Sequence, residues 1–225
     1  MAITYFYPYT IIMEIEQEFV YDVYDSIAAH FSDTRFCTWD FVKQFLAKQL
    51  PTGRGIEIGC GNGKNLHIRD DLDLIGVDTC EEFIEICNKK TLRVYRQNCC
   101  ALRFKENSFD YAFAIAVFHH LATDVRRVKA MSEMIRILKP GGKGICSMWS
   151  FEQIERKNNM KMREFVLGDN YVPWMRKGDD KVFTRYYYIF NETMIKQWIQ
   201  QFEPLICIER VFNERGNWVI EFTKK

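Results

Sequence analysis

Proline is scarce in this chain, 5 in 225 residues, and no stretch rich in Pro, Gly or Ser divides it. No repeat or low-complexity tract occurs, which argues against a solenoid or an array joined by linkers. No apolar run approaches the ~20 residues that span a bilayer, so no membrane partner is expected. The eight cysteines form no CxxC pair, and with only four histidines no zinc-ligand spacing appears, so no bound metal is expected. No Lys or Arg precedes Arg35. The apolar opening, residues 1–12, is therefore a poor signal peptide. It reads as a disordered added arm or as an upstream start ahead of Met13. Several cysteines sit in apolar runs, where reduced Cys acts as a small hydrophobe, so a reducing intracellular compartment is expected.

Net charge is also nearly missing: 31 Lys+Arg against 30 Asp+Glu. That balance argues against a nucleic-acid binder until it is divided by position. Residues 1–110 carry 12 basic against 17 acidic residues, net −5, and residues 111–225 carry 19 against 13, net +6. Such asymmetry marks either a basic binding face or ordinary solvated surface.

What is present is a 48% apolar, 15% aromatic sequence long enough for one domain with a substantial core. Apolar residues recur at helical spacing over 14–32, and a second helical stretch over 39–50 stops before Pro51. Short strands are expected at 54–58, 74–77, 92–95, 111–116 and 143–148, separated by helices near 63–70, 80–90 and 123–138. This alternation predicts βαβ units and a mostly parallel sheet. A helix over 191–201 and a terminal hairpin (205–212 with 218–222) follow. Residues 150–190 fit neither pattern. They hold eight Lys and Arg, with aromatic clusters at 171–174 and 186–188, and read as an insertion on the partner or substrate side.

The run Glu57-Ile58-Gly59-Cys60-Gly61-Asn62-Gly63 follows the first strand, and Asp78 closes the second. Closely spaced glycines let a ligand approach the backbone, and a carboxylate at the end of the second strand can hold a ribose diol. The loop lacks the last glycine of the dinucleotide fingerprint and is not a phosphate-binding Walker loop. This order of loop and acid resembles the class I S-adenosylmethionine-dependent methyltransferases, α/β proteins with a Rossmann-like sheet whose last strand is antiparallel. The resemblance implies that Glu57, Gly59, Gly61, Gly63, Asp78, Cys99 and Ala116 hold S-adenosylmethionine. Asn98 stands at the adenine position, where that class often has Asp.

Further motifs narrow the resemblance. Tyr24-Asp25-Ser26-Ile27-Ala28-Ala29-His30-Phe31-Ser32-Asp33-Thr34-Arg35, with Trp39 after it, is similar to the N-terminal signature of the eukaryotic tRNA wobble-uridine carboxymethyl methyltransferases. The runs at 114–120, 171–174, 185–188 and 215–218 agree with that family, and the resemblance runs from Glu14 to the C-terminus. It implies methyl-ester formation on 5-carboxymethyluridine at the wobble position of a tRNA anticodon loop. It also implies a heterodimer with a small zinc-binding activator subunit, and a cytoplasmic location, alone or with a nuclear one.

A carboxylate acceptor is already ionised at neutral pH, with a pKa of about 4, and needs orientation rather than a base. Arg35 is the first choice for orienting it. The alternatives are that Arg35 holds the cofactor's own carboxylate or is a helix-end surface residue. His119 and His120 line the acceptor pocket or are buried and satisfied. Trp149, Arg185 and Tyr186 are candidates for wall, phosphate contact and base stacking, or for core packing. Residues 126–129 are a solvated face or an RNA patch. A small-molecule methyltransferase, for example acting on a quinone precursor, is the alternative enzyme. Its carbon or phenol acceptor would require a base. A non-catalytic cofactor-binding RNA module is the alternative outside enzymes.

Overall fold

The computed structural model describes residues 14–153, 164–175 and 180–225. The arm expected at 1–12 and six of the eight Lys/Arg of the insertion lie outside these residues. The chain opens helically at Glu14, passes through a π turn (Gln17–Tyr21) and continues as α1 (Asp22–Thr34). Helix α2 (Asp40–Ala47) turns Phe41, Val42, Phe45 and Leu46 inward and stops short of the expected 50, because Pro51 disfavours helical geometry before it.

Strands β1 (Arg54–Ile58), β2 (Asp73–Asp78), β3 (Val94–Arg96), β4 (Phe109–Ile115) and β5 (Leu138–Trp149) are parallel. Helix α3 (Glu81–Lys89) joins β2 to β3. Helix α4 (Asp124–Ile137), capped where Thr123 Oγ1 accepts from Arg126 N at 3.3 Å, joins β4 to β5. After α5 (Glu192–Gln200) come β8 (Ile206–Glu214) and β9 (Asn217–Lys224), turning at Arg215 and Gly216 with φ of +50° and +77°. The sheet order is β3-β2-β1-β4-β5-β9-β8, and β9 alone runs against the others. Apolar residues pack both faces, α2 on one side and α4 with α5 on the other. No described helix is long and apolar enough to cross a membrane.

Two expectations fail. The helix expected at 63–70 is a run of turns, because Gly63 adopts φ +73° and the chain closes through short-range bonds such as Leu66 N to Gly63 O at 3.0 Å. A Cβ on Gly63 would collide with Leu92 and meet Cys87 Sγ at 2.9 Å, so packing keeps a glycine in this left-handed position. The insertion is partly regular. Strands β6 (Gly168–Met175) and β7 (Val182–Ile189) form a separate antiparallel hairpin, tied to the end of β5 by the Ser150–Phe190 bridge.

The N-terminal segment is fixed from 110 residues away in sequence. The fully buried Glu16 accepts from Arg126 Nε at 2.6 Å, from Ala122 N at 2.9 Å and from Tyr21 Oη at 2.9 Å. Arg127 is buried too. It donates to Leu121 O at 2.7 Å and lies 3.7 Å over the Tyr188 ring. The 126–129 run is therefore neither a solvated face nor an RNA patch at its first two positions, since both guanidiniums are buried inside the fold. Replacing Glu16 by Ala strands Arg126 in a dry site, and breaking such pairs costs about 3–5 kcal/mol. Urea unfolding of Glu16→Ala is expected to show that loss, with a smaller one for Glu16→Gln.

Candidate functional site

A cavity of about 650 Å³ opens at the carboxyl ends of β1, β2, β4 and β5, roofed by α1 and the β6–β7 hairpin. Strand polarity places ligand sites at this edge of a parallel sheet. The cavity has two chemically different ends.

At the first end, the turn after β1 carries Gly59, Gly61 and Gly63 with φ of +69°, +51° and +73°. Beside Gly61 nothing lies within 4 Å of where a Cβ would stand, and its N–H donates to Asp78 Oδ2 at 2.8 Å. Asp78 Oδ1 accepts from Cys80 N at 3.0 Å, yet burial still raises its carboxyl above the ordinary value. Glu57 Oε1 accepts from Asn65 Nδ2 at 2.6 Å, while its buried Oε2 has no partner among the described residues. Burial pushes the Glu57 carboxyl up to about 8. Asn62 Nδ2 donates to Arg35 O at 3.2 Å and so joins the glycine turn to the end of α1.

Ala116, a non-glycine at φ +61°, lines the cavity with its N–H held by Ser147 O at 3.0 Å. Such strain persists only where the surroundings impose it. Cys99 lines the same end. Gly63 and Asn98 do not. Asn98 Oδ1 is turned back onto Cys100 N at 2.8 Å, and its neighbour Gln97 faces the cavity instead.

At the second end, Trp149 and Tyr187 stack at 4.1 Å and 11°. The backbone N–H of Trp149 donates to His119 Nδ1 at 2.9 Å, which places the His119 proton on Nε2. That buried Nε2 has no partner among the described residues. His120 is fully engaged: Nδ1–H donates to Tyr186 O at 2.9 Å and Nε2 accepts from Tyr24 Oη at 3.0 Å. Burial holds both imidazoles neutral, His120 down to about 3 and His119 well below the usual value, where His120 and Arg185 add to the effect.

Arg185 and Tyr187 point into the cavity, and the alternation of β7 sends Tyr186 the other way. The Tyr186 hydroxyl donates to Asp169 Oδ1 at 2.6 Å, so Tyr186 packs against the hairpin's base and is not a wall of the site. Arg35 lies exposed at the cavity lip, its guanidinium 5.6 Å from the Phe31 ring centre. Of the three arginines that line the cavity, Arg35 and Arg215 are exposed and Arg185 alone is buried, so the first choice for orienting an acceptor is one of the exposed ones.

Sequence reasoning missed Tyr24 and Gln97, and of the run Tyr186–Tyr188, weighed for base stacking or core packing, it singled out Tyr186 where the structure turns Tyr187 to the cavity. Tyr24 stood inside the quoted N-terminal motif, but only the fold brings it to His120. Strand parity could have separated Tyr187 from Tyr186 once β7 was known, without saying which face looked inward.

Seven strands in this order, with a glycine turn and a β2 carboxylate at their carboxyl edge, define a class I methyltransferase. The profile of the family described as "Methyltransferase domain" matches residues 56–146. Among curated proteins, a tRNA (carboxymethyluridine(34)-5-O)-methyltransferase of Schizosaccharomyces pombe is 33% identical over 228 residues, covering 92% of this chain and 97% of that protein. The alkbh8 protein of Xenopus tropicalis, named for the same activity, is 31% identical over 93% of this chain, which spans 41% of that longer protein. The chain belongs to the tRNA carboxymethyluridine methyltransferase family. Solved structures add the fold. A Thermotoga maritima S-adenosylmethionine-dependent methyltransferase matches with TM-score 0.61 at 21% identity, covering 91% of this chain and 99% of that one. A Haloferax volcanii methyltransferase solved with the Trm112 methyltransferase activator matches with TM-score 0.62 at 15% identity, covering 89% and 97%.

The two buried histidines give stability a definite pH dependence. In the unfolded chain they take protons near pH 6.5, and in the folded chain His120 does so only near 3. Unfolding therefore takes up protons between those values, and stability falls as pH drops from about 6.5. Each group contributes a slope of about 1.4 kcal/mol per pH unit. Glu57, pushed up to about 8 in the folded chain, opposes one of the two histidines over this range. Stability measured by denaturant unfolding between pH 7 and 5 is therefore expected to fall with a net slope of about one group, and His120→Gln should remove most of that slope.

Proposed function

We propose that this chain transfers the methyl group of S-adenosylmethionine to the carboxylate of 5-carboxymethyluridine at the wobble position of a tRNA anticodon loop. The observation that carries this reading is an acceptor chamber in which, among the described residues, neither histidine has a free basic nitrogen. His120 has both nitrogens engaged, and the free nitrogen of His119 is the protonated one. A phenol or carbon acceptor would need its proton removed, whereas a carboxylate has none to lose. The names of the relatives support the tRNA substrate.

The cofactor end fits the proposed donor. Gly61 leaves open space, and the orphaned Glu57 Oε2 awaits a cation or donor. Glu57 would counter the positive charge of the cofactor, Asp78 would hold the ribose hydroxyls, and Gln97 with Cys99 would meet the adenine. The sulfonium supplies an electrophilic methyl carbon. A carboxylate oxygen of the acceptor would form the new bond to that carbon, the carbon–sulfur electron pair going to sulfur, and this chain's residues would hold the two in line. No proton moves, so alignment and exclusion of water are the protein's whole task. The Trp149–Tyr187 pair offers a planar wall for a base taken out of its stack.

The proposed assembly is a heterodimer with a small zinc-binding activator, acting in the cytoplasm. It is supported by the structural likeness to a methyltransferase solved with Trm112. Incubating the protein and activator with tRNA bearing carboxymethyluridine and labelled cofactor, followed by nucleoside mass spectrometry, tests the reading. A methyl group on that uridine that mild alkali removes is the expected product. A methyl group that alkali leaves in place, or methylation only of a small metabolite, would overturn it.

A further inference from the structure

Arg185 is 3% exposed, and among the described residues no carboxylate pairs with it and its Nε has no hydrogen-bond partner. Its guanidinium carbon lies 5.2 Å from the centre of the Tyr187 ring. A buried cation in that state is costly, by several kcal/mol, unless an anion arrives. In the same cavity the second orphaned donor, His119 Nε2–H, belongs to a ring 5.0 Å from Tyr187. Both groups thus lie within about 5 Å of one aromatic ring, which itself stacks on Trp149.

We propose that Arg185 and His119 Nε2–H together seat the acceptor's carboxylate and make the enzyme selective for an acidic acceptor over its amide. The proposal rests on the carboxylate-acceptor reading given above. The pair offers two donors and one positive charge, which matches a monoanion with two oxygens. A second charged donor would hold both oxygens too strongly and blunt their nucleophilicity. Burial keeps His119 neutral, so it adds direction without adding charge. Arg35, exposed and near Phe31, lacks the dry surroundings that make a single charge discriminate.

A consequence follows for turnover. Esterification removes the acceptor's charge, so the product leaves Arg185 unpaired again and binds more weakly than the substrate. The same site therefore favours entry of the acid and exit of the ester.

The test uses the full chain with its activator, saturated with S-adenosylhomocysteine so that no methyl is transferred. Three anticodon stem-loops carrying the wobble acid, its amide or its methyl ester are titrated by fluorescence anisotropy. Hydrogen bonds to a charged group are worth about 1.5–3 kcal/mol, so the acid is expected to bind at least about tenfold tighter than amide or ester. Arg185→Met should abolish that preference while leaving binding of the amide loop and of S-adenosylhomocysteine within about twofold. Arg185→Lys should retain part of it, and His119→Asn should lose about threefold of it, the worth of a weaker neutral donor. Because the buried charge is uncompensated, the thermal midpoint of Arg185→Met should hold or rise.

An acid preference that survives Arg185→Met, or that is lost instead in Arg35→Met, overturns the proposal. So does a large fall in the Arg185→Met midpoint, which would make Arg185 a structural residue. If wild type esterifies tRNA while Arg185→Met keeps the preference, the assignment of Arg185 fails and the functional reading stands. If wild type neither prefers the acid nor forms an ester, the reading itself fails.

Discussion

An ionisable group shut away from water needs a partner, and among the described residues the cavity leaves Glu57 Oε2 at one end and Arg185 Nε at the other without a hydrogen bond. The dry surroundings that make these groups costly also make them selective, because electrostatic interactions strengthen as the dielectric falls. The acidic end suits a cationic donor and the cationic end suits an anionic acceptor. Transfer of a methyl cation between them leaves a neutral thioether and a neutral ester. Both reactant charges vanish together, and both buried groups are then left without partners until the next pair of substrates arrives.

The scaffold explains why the two ends face each other. The carboxyl edge of β1 and β2 supplies the glycine turn and Asp78, and the ends of β4 and β5 supply His119 and Trp149. The β6–β7 hairpin brings Arg185 and Tyr187 over that edge, and the Ser150–Phe190 bridge fixes its base. The N-terminal helix completes the roof through two long-range ties: Glu16 to Arg126 at its start and Tyr24 to His120 in its middle. The second tie also places His120 so that Tyr186 O accepts its other nitrogen, which links roof, sheet and hairpin through one imidazole.

Much of this fold was legible in the sequence because periodicity and turn residues are local. The parallel strands, the antiparallel close and the glycine turn with its β2 acid all follow from such signals. The failures have a common physical origin in contacts remote along the chain. Gly63 is held in a left-handed turn by packing against Leu92 and Cys87, which cancels the helix expected there. Asn98 spends its carboxamide oxygen on Cys100, so the cavity meets Gln97. Arg126 looked solvated because its partner Glu16 lies 110 residues upstream. Arg35 took precedence over Arg185 because a motif can show that an arginine is present but not that it is dry. The near-zero net charge, which first argued against an RNA substrate, averaged an acidic half that bears the glycine turn with a basic half that bears the hairpin.

The central claim is that methyl transfer goes to an acceptor that is already ionised, with no base titrating on the protein. The most direct measurement is the single-turnover rate of methyl transfer to carboxymethyluridine tRNA, at saturating cofactor and RNA, from pH 6 to 9. A flat profile is expected, because the acceptor ionises near pH 4 and His120 near 3, burial holds His119 well below its ordinary value, and the cation of a bound cofactor would keep Glu57, which stands at about 8 without it, ionised across this range. An acid limb with a midpoint between pH 6 and 8 that disappears on replacing His119 or His120 would contradict it.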